Sequence, residues 1–216
     1  NISTNIMYFD FETTGLNHFH DKVIELCFLN DTPIQTELDN PDEGESSNIV
    51  EDQECFTTLV NPKRKFDEKI TNITGIHPYD LINKPSIDEI YPVLNNFLDN
   101  GMYNYLIAHN CHGFDEIILK KMLKDANLSY ILENICFIDT LLLARKLMPE
   151  LNRFSQKNLC EYFKIKTKSH RADEDCKALK SIYHNLLKIY RKRVDNSYSV
   201  ESLLENPHII HDYLYN

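Results

Sequence analysis

The organisation of the chain follows from a short apolar segment near its start, Ile6-Met7-Tyr8-Phe9-Asp10-Phe11-Glu12, which is followed by Thr13-Thr14-Gly15-Leu16. Aromatic and branched apolar residues favour a buried β-strand, and the Thr-Thr-Gly sequence predicts a turn after it. Side chains alternate between the faces of a strand, so Asp10 and Glu12 share a face with Tyr8. Two carboxylates there repel each other and lose hydration, and a divalent cation would neutralise them. Such pairs also arise by chance in a chain with 33 acidic residues, so other segments must support this interpretation.

The segments that follow predict a mixed sheet with helices. The expected strands are residues 6–12, 23–29, 55–60, 105–108 and 137–139. The first three are joined without helical patterns, which predicts an antiparallel meander, whereas the later strands alternate with helices. The expected helices are residues 86–98, 114–125, 140–147, 155–163 and 173–190.

Length, charge and cysteine usage exclude several classes of protein. A chain of 216 residues suits one domain, and its longest apolar runs are far shorter than the roughly 20 residues of a membrane span. The net charge of −10 argues against indiscriminate nucleic-acid binding. Eight acids and no Lys or Arg lie between Glu37 and Glu54, which predicts an acidic loop. Six cysteines without a CxxC pair predict reduced thiols in the cytoplasm or nucleus.

Two further acids and a histidine are candidates for a functional site. Asp115 begins a predicted helix, where an acid can simply stabilise the helix N-terminus. Asp175 lies on or beside the apolar stripe of the longest predicted helix, where a carboxylate is costly unless it is paired or metal-bound. His170 precedes that helix by a few residues and could be a surface histidine or a base. A zinc site is an alternative near residue 110, but no second ligand pair is apparent for its His109, Cys111 and His112.

These acids and the histidine would support one chemistry if they converge. Four carboxylates can hold two divalent ions, which can bind the attacking water and the leaving oxygen of a phosphodiester. A histidine with an ordinary pKa near ~6.5 can accept a proton from that water at neutral pH. The residues therefore predict metal-assisted hydrolysis of nucleic acid.

Three segments resemble, in order, the motifs of the DnaQ-like, or DEDDh, 3′→5′ exonucleases of the ribonuclease H-like superfamily. They are Phe9-Asp10-Phe11-Glu12-Thr13-Thr14-Gly15-Leu16, Ala108-His109-Asn110-x-x-x-Phe114-Asp115 and His170-Arg171-Ala172-x-x-Asp175. The resemblance runs from about Tyr8 to Leu187. Three features depart from the pattern: the acidic loop, one additional residue in the second motif at Cys111-His112-Gly113, and the tail after Arg193.

The resemblance implies a fold and a set of roles. The fold would be a ribonuclease H-like mixed five-stranded sheet flanked by helices over residues 1–193, with an acidic insertion at 37–54 and an extension at 194–216. Asp10, Glu12 and Asp175 would hold one Mg²⁺ or Mn²⁺ ion. Asp10 would hold a second, together with Asp115 acting through a water molecule. His170 would be the general base. The residues expected to bind the 3′-terminal nucleotide are Thr13, Leu16, Thr74, Asn110 and Phe114.

The implied function is 3′→5′ hydrolysis of DNA with release of nucleoside 5′-monophosphates. An exoribonuclease is the first alternative, because the same motifs serve both substrates. A non-catalytic nucleic-acid-binding or polymerase-associated module is the second alternative, and the complete set of acids and histidine disfavours it. The acidic loop and the tail are candidate binding sites for a protein partner, and their alternatives are a solvated loop and a tail that simply packs on the domain. The basic runs at 63–65, 164–171 and 191–193 are candidate phosphate contacts or solvated charges.

Overall fold

The computed structural model describes residues 5–31, 55–98, 103–167 and 171–216. The predicted acidic loop at 37–54 and His170 therefore lie outside the described residues.

Within the described parts of the chain, five strands form one mixed sheet. They are β1 (Ile6–Thr13), β2 (Val23–Asn30), β3 (Cys55–Leu59), β4 (Tyr105–Ala108) and β5 (Cys136–Asp139). The sheet order is β3-β2-β1-β4-β5, with the first three strands antiparallel and β4 and β5 parallel to β1. The predicted strands and the predicted change from antiparallel to parallel pairing are confirmed.

The described residues also form eight α-helices. Those predicted from the sequence are α2 (Ile87–Leu98), α3 (Asp115–Asp125), α4 (Thr140–Leu147), α5 (Gln156–Phe163) and α6 (Ala172–Arg193). Those not predicted are the short helices α1 (Glu68–Thr74), α7 (Val200–Glu205) and α8 (His208–Tyr215). None of the described helices combines the length and apolar character that a bilayer crossing requires.

The alternation of β1 divides the interior into two apolar cores. Met7, Phe9 and Phe11 pack toward α2 and α3, whereas Tyr8 packs against Tyr183 of α6 on the opposite face. Because Asp10 and Glu12 share the face of Tyr8, β1 directs both carboxylates toward α6.

The tail after residue 193 belongs to the second core. Leu203 of α7 and Ile210 of α8 are fully buried in the cluster that also contains the inner face of α6. The apolar residues of the tail therefore pack on the domain itself.

Candidate active site

Two elements bring three predicted acids together. Asp10 and Glu12 project from β1, and Asp175 lies in the first turn of α6, which packs over that strand. One carboxylate oxygen from each lies within 4.8 Å of the others, and all three side chains are partly accessible. A cation between them would contact three oxygen ligands, as hard divalent ions prefer.

The fourth acid, Asp115, lies on α3, which packs on the face of the sheet opposite α6. Asp115 is the first residue of α3 and is only 4% exposed. Its Oδ1 accepts the backbone N–H of Phe11 at 3.2 Å, a contact that ties α3 to the strand carrying Asp10 and Glu12. This contact holds Asp115 next to the strand that carries Asp10 and Glu12.

The crowding of carboxylates shifts their protonation. Burial, followed by the charges of Asp115 and Glu12, raises the pKa of Asp10 well above its usual range. Burial and the nearby Asp175 raise the pKa of Glu12 to about 7. Burial raises the pKa of Asp115 to about 8, although the Phe11 N–H opposes this shift. The crowded carboxylates hold protons at pH values where isolated carboxyl groups are ionised, because negative charges so close together repel each other. A divalent cation would relieve the same repulsion, so the site should bind cations in place of protons.

A fifth carboxylate is neutralised by the protein itself. Glu25 of β2 is buried and pairs with Glu12 across the sheet. Its Oε1 accepts Nε of Arg171 at 3.0 Å and Nη2 at 2.8 Å, and its Oε2 accepts the N–H of Ala172 at 3.0 Å. This ion pair caps the start of α6 and therefore sets where Asp175 lies.

Sequence reasoning did not identify Glu25. The available signal is an acid within the apolar strand sequence Val23-Ile24-Glu25-Leu26, which repeats the pattern that singled out Asp10. Its partner Arg171 lies 146 residues away, and local spacing carries no information about such a contact.

A tight turn closes the loop after β1. Asp21 accepts the Thr14 hydroxyl at 2.8 Å and the Asn17 N–H at 2.9 Å. A Cβ atom on Gly15 would lie 2.4 Å from an oxygen of Asp21, so a side chain at this position would displace the carboxylate. The turn presents Leu16, whose side chain is 83% exposed, to solvent.

The second-motif loop is held by Asp139, at the end of β5. The Asp139 carboxylate accepts the N–H groups of Asn110 at 3.0 Å, His112 at 3.3 Å and Leu141 at 2.9 Å. Asn110 has a positive φ of 58°, a conformation that Asn tolerates better than most residues. Asp139 is also the N-cap of α4, and an acid at this position is the sequence signal that could have identified it.

A cleft of about 410 Å³ contains most of the predicted substrate-binding residues. Leu16, Asn110 and Phe114 line it together with Asp10 and Asp115. It lies between the turn after β1 and the second-motif loop, beside the carboxylates.

The other two predicted substrate-binding residues lie elsewhere. Thr13 lines an adjoining cavity of about 290 Å³, with Lys63. Thr74 is buried at the end of α1, where its hydroxyl donates to Ile70 O and accepts the Ile76 N–H, and it is not among the described residues that line the cleft.

His109, Cys111 and His112, the residues of the alternative zinc site, do not converge on one point. His109 directs one ring nitrogen to the Thr140 hydroxyl at 2.9 Å and the other to the Phe154 carbonyl at 2.8 Å. Both nitrogens are engaged, so His109 braces the cleft wall. Cys111 and His112 instead lie close to Glu116.

The basic runs differ in their surroundings. Arg191 donates to Tyr198 O and so holds the tail on α6. Arg193 forms an ion pair with Glu150 and donates to Leu147 O, which joins the end of α6 to the end of α4. Arg64 donates to the carbonyl of His20, near the turn after β1.

Comparison with known proteins agrees with this architecture. Residues 7–183 match the Exonuclease family RNase_T. The chain is 33% identical over 180 residues to a PolC-type DNA polymerase III of Caldanaerobacter subterraneus subsp. tengcongensis, covering 83% of this chain and 11% of that protein. It is 29% identical over 153 residues to the DNA polymerase III subunit epsilon of Aquifex aeolicus, covering 69% of this chain and 73% of that one. The chain thus spans about a tenth of the length of the PolC-type relatives it matches.

A solved structure of Exonuclease X in complex with 5′ overhanging duplex DNA has the same fold. The TM-score is 0.54 at 21% identity, over 93% of this chain and 98% of that one. The family match, these relatives and the shared sheet architecture agree with the motif order in the sequence. The chain belongs to the DnaQ-like 3′→5′ exonucleases of the ribonuclease H-like superfamily.

Proposed function

We propose that this chain is a two-metal-dependent 3′→5′ exonuclease that hydrolyses DNA and releases nucleoside 5′-monophosphates. The observation that carries the proposal is the convergence of Asp10, Glu12 and Asp175 within 4.8 Å, beside Asp115 at the wall of the cleft.

The donor set fits divalent cations. Exonucleases of this family generally use divalent metal. The ligands here are oxygen atoms of carboxylates, as Mg²⁺ and Mn²⁺ prefer, and their raised pKa values reflect a need for positive charge. We propose that Asp10, Glu12 and Asp175 hold one ion and that Asp10 and Asp115 hold the second. Two bound ions would polarise the scissile phosphate and stabilise the attacking and leaving oxygens.

The remaining residues would position the substrate and move protons. Leu16 is exposed beside the cleft and would pack on the terminal base, with Phe114 and Asn110 on the opposite side. The Thr13 backbone and Thr74 remain predicted contacts of the terminal nucleotide. We assign the general base to His170, which would accept the proton of the attacking water.

Several relatives support DNA as the substrate. The curated relatives include DNA polymerase III proteins, and the Exonuclease X structure contains duplex DNA. RNA remains the alternative, because the two substrates differ by 2′-hydroxyl contacts that depend on the bound geometry.

The test compares matched DNA and RNA oligonucleotides, labelled at the 5′ end, with Mg²⁺ or Mn²⁺ in parallel. We expect a ladder that shortens from the 3′ end, mononucleotide 5′-phosphates as products, and faster release from DNA. Equal or faster release from RNA would assign the chain to exoribonucleases. Absence of hydrolysis from either substrate would indicate a non-catalytic module.

Two substitutions test the site assignment. Asp10→Ala should abolish hydrolysis, and His170→Ala should lower kcat more than it changes KM, because a base acts in the chemical step. Hydrolysis that survives in both variants would refute the assignment. Tyr162→Phe, an exposed residue on α5, is the matched control.

Two predictions from the sequence stay predictions: that a protein partner binds the acidic loop or the tail, and that the chain works in a reducing compartment. The acidic loop lies outside the described residues, and the apolar residues of the tail pack on the domain.

A further inference from the structure

The last helix reaches the second-motif loop through one hydroxyl group. The Tyr215 hydroxyl lies 2.6 Å from His112 Nε2 and accepts the backbone N–H of Asp139 at 3.2 Å. The Tyr215 and His112 rings also pack edge to face, with their centroids 5.4 Å apart. Because the hydroxyl oxygen accepts from Asp139, its own proton can be donated to His112.

The contact continues to the start of α3. His112 Nδ1 hydrogen-bonds Glu116, which also forms an ion pair with Lys120. Glu116 follows Asp115, the buried acid proposed to hold the second cation. The hydroxyl is therefore linked to the first turn of α3 through a single imidazole.

The same loop is held from its other side by Asp139, which accepts the N–H groups of Asn110 and His112. Tyr215 binds the backbone N–H of Asp139, so it contacts both the loop and the residue that holds it. These contacts fix the loop between two elements, β5 and α8.

The position of α8 is fixed independently of this contact. Ile210 is fully buried, and the Tyr213 ring packs on Tyr190 at 5.1 Å, with the Lys146 ammonium 4.5 Å from its centroid. The helix can therefore act as a rigid support for the loop.

Two departures from the family pattern meet at this point. His112 belongs to the segment with the additional residue in the second motif, and Tyr215 belongs to the tail beyond the family match, which ends at residue 183. A longer loop has more backbone conformations, so it needs an extra contact to hold Asn110 and Asp115 in one arrangement.

We propose that Tyr215 is a positioning residue of the active site, which acts through His112 to hold the second-motif loop and the start of α3. The inference rests on the proposed function, because Asp115 is the metal ligand and Asn110 and Phe114 the substrate contacts that it would position.

The test compares Tyr215→Phe with Tyr213→Phe, which removes a hydroxyl from the same helix without touching the loop. In metal-free protein, Tyr215→Phe should speed amide hydrogen exchange of residues 110–114. With Mn²⁺ and a DNA oligonucleotide, it should lower kcat or raise the half-saturating Mn²⁺ concentration about tenfold, as loss of partners behind metal ligands typically does. Tyr213→Phe should change neither measurement.

A double-mutant cycle separates positioning from general packing. If Tyr215 acts through His112, then Tyr215→Phe should have a clearly smaller effect in a His112→Ala background than in the wild type, with only the loss of the Asp139 contact remaining. Fully additive effects, or unchanged loop exchange and Mn²⁺ dependence in Tyr215→Phe, would overturn the inference. The wild-type protein is assayed in parallel, since its inactivity would refute the proposed function, whereas an active wild type with an unaffected variant refutes only the role of Tyr215.

Discussion

At the scale of single residues, the site is built at the expense of stability. Burial and neighbouring charges raise the pKa of Asp10 and of Glu12, so ionising either group in the folded protein is unfavourable. An apolar or amide side chain would be more stable at these positions. The acids are therefore best explained by what they bind.

Asp10→Asn tests this trade-off directly. Hydrolysis should fall at least about a hundredfold, because a metal ligand shared by both proposed sites is lost. The metal-free variant should be more stable than wild type at pH 8 in urea unfolding, since the unfavourable carboxylate is gone. A variant that is less stable than wild type at pH 8 without metal would contradict this explanation.

At the scale of elements, the start of α6 depends on one ion pair. Glu25 is buried, whereas the Arg171 side chain is half exposed, and their contact also satisfies the N–H of Ala172. Because Asp175 donates its N–H to the Arg171 carbonyl at 2.9 Å, the same cap orients the first turn of the helix.

The loss of stability caused by removing Arg171 should be partly reversed when the charge of Glu25 is also removed. Arg171→Ala should destabilise the protein by about 3 kcal/mol, because it leaves the Glu25 carboxylate buried without its cation. Adding Glu25→Gln should recover part of that loss, since the amide removes the charge and keeps an oxygen for Ala172. Urea unfolding of the two single variants and the double variant measures these free energies of unfolding. If the double variant loses as much stability as the two single variants together, the buried ion pair does not explain the effect.

At the scale of the whole molecule, the site links folding to pH and to cations. The pKa values of Glu12, about 7, and Asp115, about 8, exceed those of an unfolded chain. Between about pH 4 and pH 8 the folded protein therefore retains protons that the unfolded chain has lost, so stability must fall as pH rises through this window.

Thermal unfolding tests this linkage. The Tm of metal-free protein should fall between pH 5 and pH 8 by roughly 5–10 °C relative to a Glu12→Gln/Asp115→Asn control. Mn²⁺ should raise the Tm of the wild type more at pH 8 than at pH 5, because protons compete for the ligands at low pH. An equal Mn²⁺ effect at both pH values would argue against carboxylate coordination.

Much of the fold could be predicted because its signals are local. The alternation in β1 predicted that Asp10 and Glu12 share a face, and the periodicity of α6 predicted that Asp175 lies near the core. Ser86 and Glu89 are three residues apart, the local spacing of a capping box, and in the structure the Ser86 hydroxyl donates to the Glu89 carboxylate at 2.8 Å at the start of α2. Helix α1 was missed, because seven residues are too few for a periodic pattern.

The sequence by itself determined which residues are available to the site and, through the order of its motifs, the family to which they belong. Only the tertiary structure decided how they are held: Glu25 against Arg171, His109 against Phe154, and Tyr215 against Asp139. The physical reason is range. Strand alternation, helix periodicity and capping act within a few residues of the chain, whereas these contacts join residues 45 to 146 positions apart and exist only once sheet order and helix docking are set.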